Sequence, residues 1–247
     1  MKISFVIPAY NEEAVIGQCI ESIQREIARG SYDAEILVVD NASTDKTRAI
    51  AASYPNVRVV EEKRKGTNWA RQAGFTVATG DIIVNIDADC LVPNGWLNVV
   101  TSEFEKNPRV IALSGPYVYY DLPWWSQMLA WMFYGVIFIV YLMHRFILKS
   151  GSVVQGGNFA VRREALEKIG GFNTALEFYG DDTDTARRLS DIGGVKWTFR
   201  LRVLSSGRRF RKEGFVKTAF YYTLNHFWIL FARRPHTTKY SDVRHGQ

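Results

Sequence analysis

The sequence predicts an α/β fold, with a mainly parallel sheet flanked by helices. Two observations support this prediction: up to residue 115, short runs rich in Val and Ile alternate with longer amphipathic segments, and polar or acidic residues follow these runs. Alternating strands and helices indicate a parallel sheet, because the chain must cross back, usually as a helix, before the next strand can run in the same direction. At 247 residues and 47% hydrophobic, the chain is long enough to bury such a core.

The short apolar runs are predicted to be strands because they are brief and rich in β-branched residues. They are Ile3–Ile7, Glu35–Val39, Val57–Val60, Ile82–Ile86 and Val110–Leu113. The segments between them are predicted to be helices, because of their length and their apolar periodicity. These are Glu12–Arg29, Asp45–Ser53, Asn68–Val77 and Trp96–Lys106. Ligands bind such sheets beyond the carboxyl ends of the strands, so the segments 8–12, 40–45 and 87–89 are expected along one cleft.

Charge and cysteine content narrow the class of protein. The chain carries 31 basic and 25 acidic residues, a net charge of +6, which suits nucleotides, phosphorylated substrates or an acidic membrane face. No nucleic-acid-binding motif accompanies this charge, so no nucleic-acid partner is expected. Cys19 and Cys90 lack metal-binding spacing and are expected to be buried thiols. The N-terminal residues show no secretory signal, so we expect a cytoplasmic location.

Acidic residues follow two of the predicted strands. Asp40 ends the run EILVVD, and Asp87 and Asp89 follow IIVNI. Buried carboxylates need a cation or hydrogen-bond donors. A divalent ion shared with a diphosphate would supply one, and Asp40 could instead accept from a base or a ribose hydroxyl. The alternative is that these are turn-forming aspartates that only end strands.

Two further segments combine charge with a predicted helix start. Lys65 and Arg71 lie in a basic, glycine-broken turn and the first turns of the helix after it, where they can meet phosphate, although a solvated basic face is the alternative. Asp181, Asp182 and Asp184 form an acidic cluster at another helix start. Such residues often only complement the helix dipole, but a crowded carboxylate also gains proton affinity, which suits a general base.

Taken together, these motifs resemble a known family. The ordered set FVIPAYNEE, ILVVDNASTDKT, KGTNWARQAG, GDIIVNIDADC, GGNFAVRREALEKIGGFN and YGDDTDTARRL is similar to the family 2 glycosyltransferases of the GT-A fold, from residue 3 to about residue 190. The resemblance implies transfer of a sugar from a nucleotide diphosphate sugar, most simply a UDP- or GDP-sugar, to an acceptor, with inversion at the anomeric carbon. It also implies Mn²⁺ or Mg²⁺ as cofactor.

The resemblance assigns donor-binding residues by position in the motifs. They are Pro8, Ala9, Tyr10, Glu12, Asp40, Gly66, Arg71 and Asp87. Within DAD, Asp89 is implied as the direct metal ligand, with Asp87 touching ribose or a metal-bound water. Gly156, Gly157 and Asn158 are implied near the sugar and acceptor.

The same resemblance assigns the catalytic base. The family's Glu-Asp pair falls on Asp181 and Asp182, so Asp replaces Glu at the first position. Asp182 is the implied base, and Asp181 is implied in the acceptor vicinity.

The resemblance also suggests how the chain is divided. We expect a glycosyltransferase domain over residues 1–212, with a nucleotide-sugar-binding half at 1–115 and an acceptor half at 116–212. A C-terminal aromatic helix and polar tail would follow at 213–247.

Two aromatic-rich segments, 124–148 and 215–234, suggest contact with a membrane. The first is long enough to span a bilayer. A single crossing would, however, separate the donor site from Asp182, so we expect an interfacial or re-entrant helix, or two helices that break near Gly135. Burial in the domain or against a homodimer partner is the alternative. The first interpretation places the protein peripherally or monotopically on the cytoplasmic face, with a lipid-linked or membrane-proximal acceptor of cell-envelope synthesis.

Two other functions fit parts of the pattern. A sugar nucleotidyltransferase shares a nucleotide-binding sheet and metal-binding carboxylates, but its glycine-rich opening loop is replaced here by PAYNEE. A non-catalytic nucleotide- or membrane-binding protein would not need the acidic residues Asp87, Asp89 and Asp182.

Overall fold

A computed structural model describes residues 1–148, 153–176, 180–232 and 236–237. Its strands are β1 Ile3–Ala9, β2 Ala34–Asp40, β3 Val57–Glu61, β4 Ile82–Ile86, β5 Cys90–Leu91, β6 Val110–Ser114, β7 Tyr117–Tyr119, β8 Asn158–Arg162, β9 Gly194–Trp197 and β10 Val203–Ser205. Its helices are α1 Ile16–Gly30, α2 Thr47–Ala52, α3 Thr67–Val77, α4 Trp96–Lys106, α5 Trp124–Met143, α6 Arg163–Lys168, α7 Asp181–Ser190, α8 Arg208–Glu213 and α9 Phe215–Ala232.

The main sheet has seven strands in the order β3-β2-β1-β4-β8-β6-β9. β1 pairs in parallel with β2 and β4, β2 with β3, and β6 with β9, whereas β8 runs antiparallel between β4 and β6. A smaller sheet has the order β5-β10-β7. The predicted mainly parallel sheet flanked by helices is therefore confirmed, and its five predicted strands all form.

The two faces of the main sheet are covered by different helices. Ile3, Phe5 and Ile7 of β1 face the layer that contains α1 and α4, and Val6 faces the layer that contains α3, α6 and α7. This alternation follows from the two-residue period of a strand. Because both faces are buried, the central strands are apolar throughout, as in other doubly covered parallel sheets.

The long aromatic segment forms one continuous helix. α5 runs through Gly135 and ends in a π-helical turn at His144–Leu148, so the predicted break near Gly135 does not occur. A Cβ at Gly135 would have no atom within 4 Å, so no packing contact there forces a bend. Ala130, Tyr134 and Tyr141 pack in a small cluster with Trp197, which holds one face of α5 against the domain.

Candidate active site

The carboxyl ends of β1, β2 and β4 lie side by side. Ala9 at the end of β1 pairs with Asp40 at the end of β2, and Asp87 directly follows β4. A cavity of about 440 Å³ opens at this edge. The three segments that the sequence placed along one cleft therefore meet where a parallel sheet binds its ligands.

Most of the predicted site residues line this cavity. They are Pro8, Ala9, Tyr10, Glu12, Arg71, Asp87, Asp89, Gly156, Gly157, Asp181 and Asp182. Three others, Asp40, Gly66 and Asn158, lie outside its lining. The structure thus brings the acidic turn after β4 and the acidic start of α7 into one site, although they are far apart in the chain.

Arg71 of α3 joins the two acidic clusters. Its guanidinium, with 4% of the side chain exposed, donates Nη1 to Oδ2 of Asp181 and Nη2 to Oδ1 of Asp87 at 3.4 Å. Asp181 and Asp87 raise the pKa of Arg71, against the opposing effect of burial. One buried cation therefore holds a carboxylate from each cluster at the floor of the cavity.

Arg208 of α8 holds a second group of carboxylates. Its Nη1 donates to Oε2 of Glu12 at 2.7 Å and its Nη2 to Oε1 of Glu12 at 2.5 Å, and Nη2 lies 3.2 Å from Oδ2 of Asp89. Such a bidentate arrangement fixes both the position and the orientation of a carboxylate. Even so, burial, Asp87 and Glu12 raise the pKa of Asp89 to about 7, although Arg208 acts to lower it.

Gly156 and Gly157 leave room for these side chains. A Cβ at Gly157 would overlap the carboxyl group of Asp87, and one at Gly156 would lie 2.8 Å from Nη2 of Arg71. The N–H of Gly157 donates to the hydroxyl of Tyr117 at 2.9 Å. The backbone can lie directly against Asp87 and Arg71 only because both positions lack a side chain.

The three predicted residues outside the lining support the site from behind. Asp40 is buried and accepts from the N–H of Ser43 at 3.3 Å. The N–H of Gly66, which has a φ of 139°, donates at 2.8 Å to the side chain of Asn41, which lines the cavity. Asn158 is fully buried and its amide donates to the carbonyls of Gly115 at 3.0 Å and Leu201 at 2.7 Å. The side chain of Asn158 thus ties loops together rather than facing the cavity.

Asp181 and Asp182 are the first residues of α7, after Gly180 at a φ of 81°. Burial raises the pKa of Asp181, and burial together with the charge of Asp181 raises the pKa of Asp182 to about 7. Arg71 is hydrogen-bonded to Asp181, whereas Oδ1 of Asp182 accepts from the N–H of Thr183 at 2.7 Å. Asp182 therefore has the proton affinity that a base working near neutral pH requires.

The cavity extends into an apolar compartment between α5 and α9. Its lining includes Ala130, Phe133, Tyr134, Val136, Ile137, Val140, Phe215, Tyr222, Thr223, Asn225 and His226. The polar carboxylate site therefore opens directly onto a surface that suits an apolar ligand.

The family profile described as Glycosyl transferase family 2 matches residues 4–170, more than half of the chain. The chain belongs to this glycosyltransferase family. The match covers β1 to β8 and includes the strand ends and the DAD segment at 87–89.

Individual relatives agree with the family. Glycosyltransferase AglE of Haloferax volcanii is 29% identical over 77% of this chain and 62% of its own length. The dolichol-phosphate mannosyltransferase of Pyrococcus furiosus is 28% identical over 82% of this chain and 57% of its own length. The solved mannosyltransferase PcManGT from Pyrobaculum calidifontis, in complex with GDP-Man and Mn²⁺, superposes with a TM-score of 0.71 at 26% identity, covering 96% of this chain and 65% of that one. This glycosyltransferase chain thus spans less than two thirds of each of these proteins, and it has the GT-A fold.

The acidic residues of this glycosyltransferase fit a divalent cation that is shared with substrate. Within residues 1–148, 153–176, 180–232 and 236–237, no group of three or more His, Cys, Asp or Glu side chains forms a complete metal site. Mg²⁺-type sites commonly use only one or two carboxylates and take further oxygens from substrate phosphates. Asp87 and Asp89 offer such a pair, and both line the cavity.

Sequence reasoning overlooked several residues of the site. Arg208 lies within the basic run 200–212, and no residue of that run is among the site residues predicted from the sequence. The SSGRRF segment brings Arg208 to Glu12, far away in the chain, so only tertiary structure shows this contact. Tyr117, the first residue of β7, carried no local signal. Asn41 lies in the segment 40–45 that was predicted at the cleft, but it was not named as a site residue.

Proposed function

We propose that this protein is an inverting, metal-dependent glycosyltransferase that moves a sugar from a nucleotide diphosphate sugar to the hydroxyl or phosphate of a lipid-linked or membrane-proximal acceptor. The observation that carries the proposal is the meeting of Asp87, Asp89 and Asp182 in one cavity, with Arg71 joining the two acidic clusters. The Mn²⁺ and GDP-Man of the solved relative support a metal and a nucleotide diphosphate sugar here.

The donor occupies the edge of the sheet in this proposal. The β1 end at Pro8–Tyr10 and the Asp40–Asn41 turn form the nucleotide end, with the base held near Asp40 and the polar atoms of Asn41. Lys65 stands at the same end, where its Nζ donates to the hydroxyl of Tyr10 at 3.0 Å. Asp87 and Asp89 would hold Mn²⁺ or Mg²⁺, and the ion would neutralise charge on the diphosphate.

Asp182 acts on the acceptor. For a hydroxyl acceptor, its carboxylate takes the proton as the oxygen attacks the anomeric carbon from the face opposite the diphosphate. Arg71 fixes Asp181 beside it and so keeps the negative charge that raises the proton affinity of Asp182. Binding of donor and acceptor in one cavity places them in reacting order, which lowers the entropic part of the barrier.

The apolar compartment supports a lipid-linked acceptor. Among the described residues, the segment Trp124–Ile147 is the one helix long and apolar enough to cross a bilayer, and 22% of its most apolar stretch is buried. α5 nevertheless lines the cavity beside Asp87 and Asp182, so we propose that it lies in the membrane interface rather than across it. The dolichol-phosphate mannosyltransferase relative supports an acceptor of this kind. The basic residues Lys149, Arg233 and Arg234, which lie at the ends of the two aromatic-rich segments, are outside the described residues.

A donor panel tests the proposal. Purified protein with Mn²⁺ is incubated with UDP-, GDP- and dTDP-sugars, with undecaprenyl phosphate and with dodecyl glycosides as acceptors, and the released nucleotides are separated. We expect nucleoside diphosphate, formed only with the divalent metal present. Nucleoside triphosphate formed only when pyrophosphate is added would instead indicate a sugar nucleotidyltransferase, and no nucleotide product from any donor would indicate a binding protein.

A further inference from the structure

We propose that Thr183 and His226 are positioning residues, which hold the Asp182 carboxylate in place through a hydrogen-bonded chain that runs from α9 to the start of α7. The inference rests on the proposed function, in which Asp182 is the base. Asp182, Thr183 and His226 all line the cavity. His226 and Thr183 lie on different helices, so the chain is a tertiary feature that no local motif shows.

The contacts converge on one oxygen of Asp182. Its Oδ1 accepts from the N–H of Thr183 at 2.7 Å and from Oγ1 of Thr183 at 3.4 Å. Oγ1 of Thr183 lies 3.1 Å from Nδ1 of His226. Within the part of the chain that the structure describes, the hydrogen bonds to the Asp182 side chain all involve Oδ1, and in this proposal Oδ2 takes the acceptor proton.

The protonation of His226 gives the chain a direction. Burial and the neighbouring His144 lower the pKa of His226 to about 4, so the ring is neutral at pH 7 and carries one N–H. With that proton on Nδ1, the ring donates to Oγ1 of Thr183, whose hydroxyl then donates to Oδ1 of Asp182. This arrangement favours the charged carboxylate, against the effects of burial and of Asp181.

Packing fixes the chain from both sides. Gly180 directly precedes α7, and a Cβ there would overlap the side chain of Ile229 of α9. The ring of His226 meets that of His144 edge to face, with centroids 6.0 Å apart. His144 begins the π-helical turn at the end of α5, a distortion that recurs at functional sites. α9 carries His226, and the end of α5 packs against the ring of His226 through His144. Both helices that line the apolar compartment are thus connected to Asp182 through His226.

Matched variants test the inference. Thr183→Val and His226→Phe remove the hydrogen-bonding atoms at similar size, whereas Thr183→Ser and His226→Asn keep a hydroxyl and a nitrogen close to the original positions. The measurement is the pH profile of Mn²⁺-dependent nucleoside diphosphate release, with the donor that is fastest in the panel. The charged groups that act on Asp182 are Asp181 and Arg71. His226 is linked to Asp182 through Thr183, and His144 packs against the ring of His226.

We expect Thr183→Val and His226→Phe to lower kcat about tenfold and to move the acidic limb of the profile upward by about one pH unit, which corresponds to the loss of one hydrogen bond to a charged group. Thr183→Ser and His226→Asn should retain the wild-type limb. Mn²⁺-dependent binding of the nucleoside diphosphate should be unchanged in all four variants, because none of them touches Asp87 or Asp89.

If Thr183→Val and His226→Phe fold and keep both the wild-type kcat and the wild-type acidic limb of the pH profile, the inference is overturned. If one of these two failed to fold, the other pair would still decide. The proposed function fails separately, and the inference with it, if Asp182→Asn turns over normally. Loss of activity in Asp182→Asn together with wild-type profiles in the positioning variants would overturn this inference alone.

Discussion

The charge balance of the cavity depends on Arg71. Its buried guanidinium pairs with both Asp87 and Asp181, so loss of Arg71 would remove a cation from two carboxylates at once. A buried ion pair need not stabilise a fold overall, but removing one partner leaves an uncompensated charge. The bridge therefore explains why the sequence places an arginine rather than an apolar residue on the buried face of α3.

Replacing Arg71 should be costly in a specific way. We expect Arg71→Leu to lower the free energy of unfolding by about 3 kcal/mol, and a second change, Asp181→Asn, to restore part of the loss because it removes the unpaired charge. Urea denaturation at pH 7.5 measures both. Arg48→Leu is the control, since its pair with Glu61 is exposed and should cost less than about 1 kcal/mol. Equal losses in Arg71→Leu and Arg48→Leu would contradict this account.

The raised pKa of Asp182 predicts a pH dependence. Because the base must be ionised and its pKa is about 7, kcat should fall as the pH drops through about 7. The same carboxyl has an ordinary value of 3.8, so its ionisation destabilises the folded protein progressively as the pH rises from about 4 to about 7. Initial rates between pH 5 and pH 9 with Mn²⁺ check the first point. A rate that stays constant down to about pH 5 would refute it.

At the scale of elements, the parts of the fold set by local sequence were predictable. β1 to β4 and α2 to α4 follow from apolar period and turn residues, and the prediction for α4, Trp96–Lys106, matches the structure at both ends. α1 is predicted to start at Glu12 but starts at Ile16. The residues before it form a turn, in which the carbonyl of Glu12 accepts from the N–H groups of Val15 and Ile16, and the N–H of Glu12 donates to Oγ1 of Thr47. The side chain of Glu12 pairs with Arg208.

Long-range pairing was not predictable. The antiparallel strand β8 inserts between β4 and β6, and its sequence NFAVR does not specify its neighbours or its direction. The contacts of Arg208 with Glu12 and of His226 with Thr183 likewise join residues that are far apart in the chain. The strand-end carboxylates could be found because a parallel sheet brings its carboxyl ends together, whereas these contacts depend on packing that no local pattern encodes.

The loop that leads into β8 makes a prediction of its own. We expect Gly157→Ala to lower kcat/KM for the donor at least about tenfold, because the added methyl group must displace the carboxyl group of Asp87. Gly135→Ala is the matched control: its Cβ meets nothing within 4 Å, and alanine favours a helix by about 1 kcal/mol. Donor kinetics and a thermal melt distinguish the two variants. Normal donor kinetics in Gly157→Ala would show that donor binding and transfer do not depend on the observed position of the Asp87 carboxyl group.

At the scale of the whole molecule, the exposed apolar residues concentrate on two helices. On α5 they include Trp124, Met132 and Ile139, with 78%, 64% and 58% exposed, and on α9 Val216 and Phe220, with 79% and 61%. Large exposed apolar patches mark surfaces that contact a partner or a membrane. Since the same helices line the apolar part of the cavity, membrane contact and acceptor entry would share one face.

Vesicle binding tests that arrangement. We expect the protein to sediment with vesicles of phosphatidylglycerol and phosphatidylcholine, and Met132→Glu with Ile139→Glu to reduce the bound fraction at least about tenfold, since a charge in the interface is costly. Ile192→Glu is the control, because Ile192 is 45% exposed on a different part of the fold. Equal vesicle binding by the double variant and the wild type would exclude this face as the membrane-binding surface. If the face instead forms a dimer interface, analytical ultracentrifugation would show a dimer.

We propose that Asp182 removes the acceptor proton in a glycosyl transfer at the cavity that Asp87 and Asp89 line. The most direct test compares the single-turnover rate of glycoside formation in wild type, in Asp182→Asn and in Asp191→Asn, a control directly after α7 with 56% of its side chain exposed. We predict a loss of at least about 10²-fold in Asp182→Asn, with unchanged Mn²⁺-dependent nucleotide binding, and none in Asp191→Asn. Normal turnover in Asp182→Asn would contradict the account.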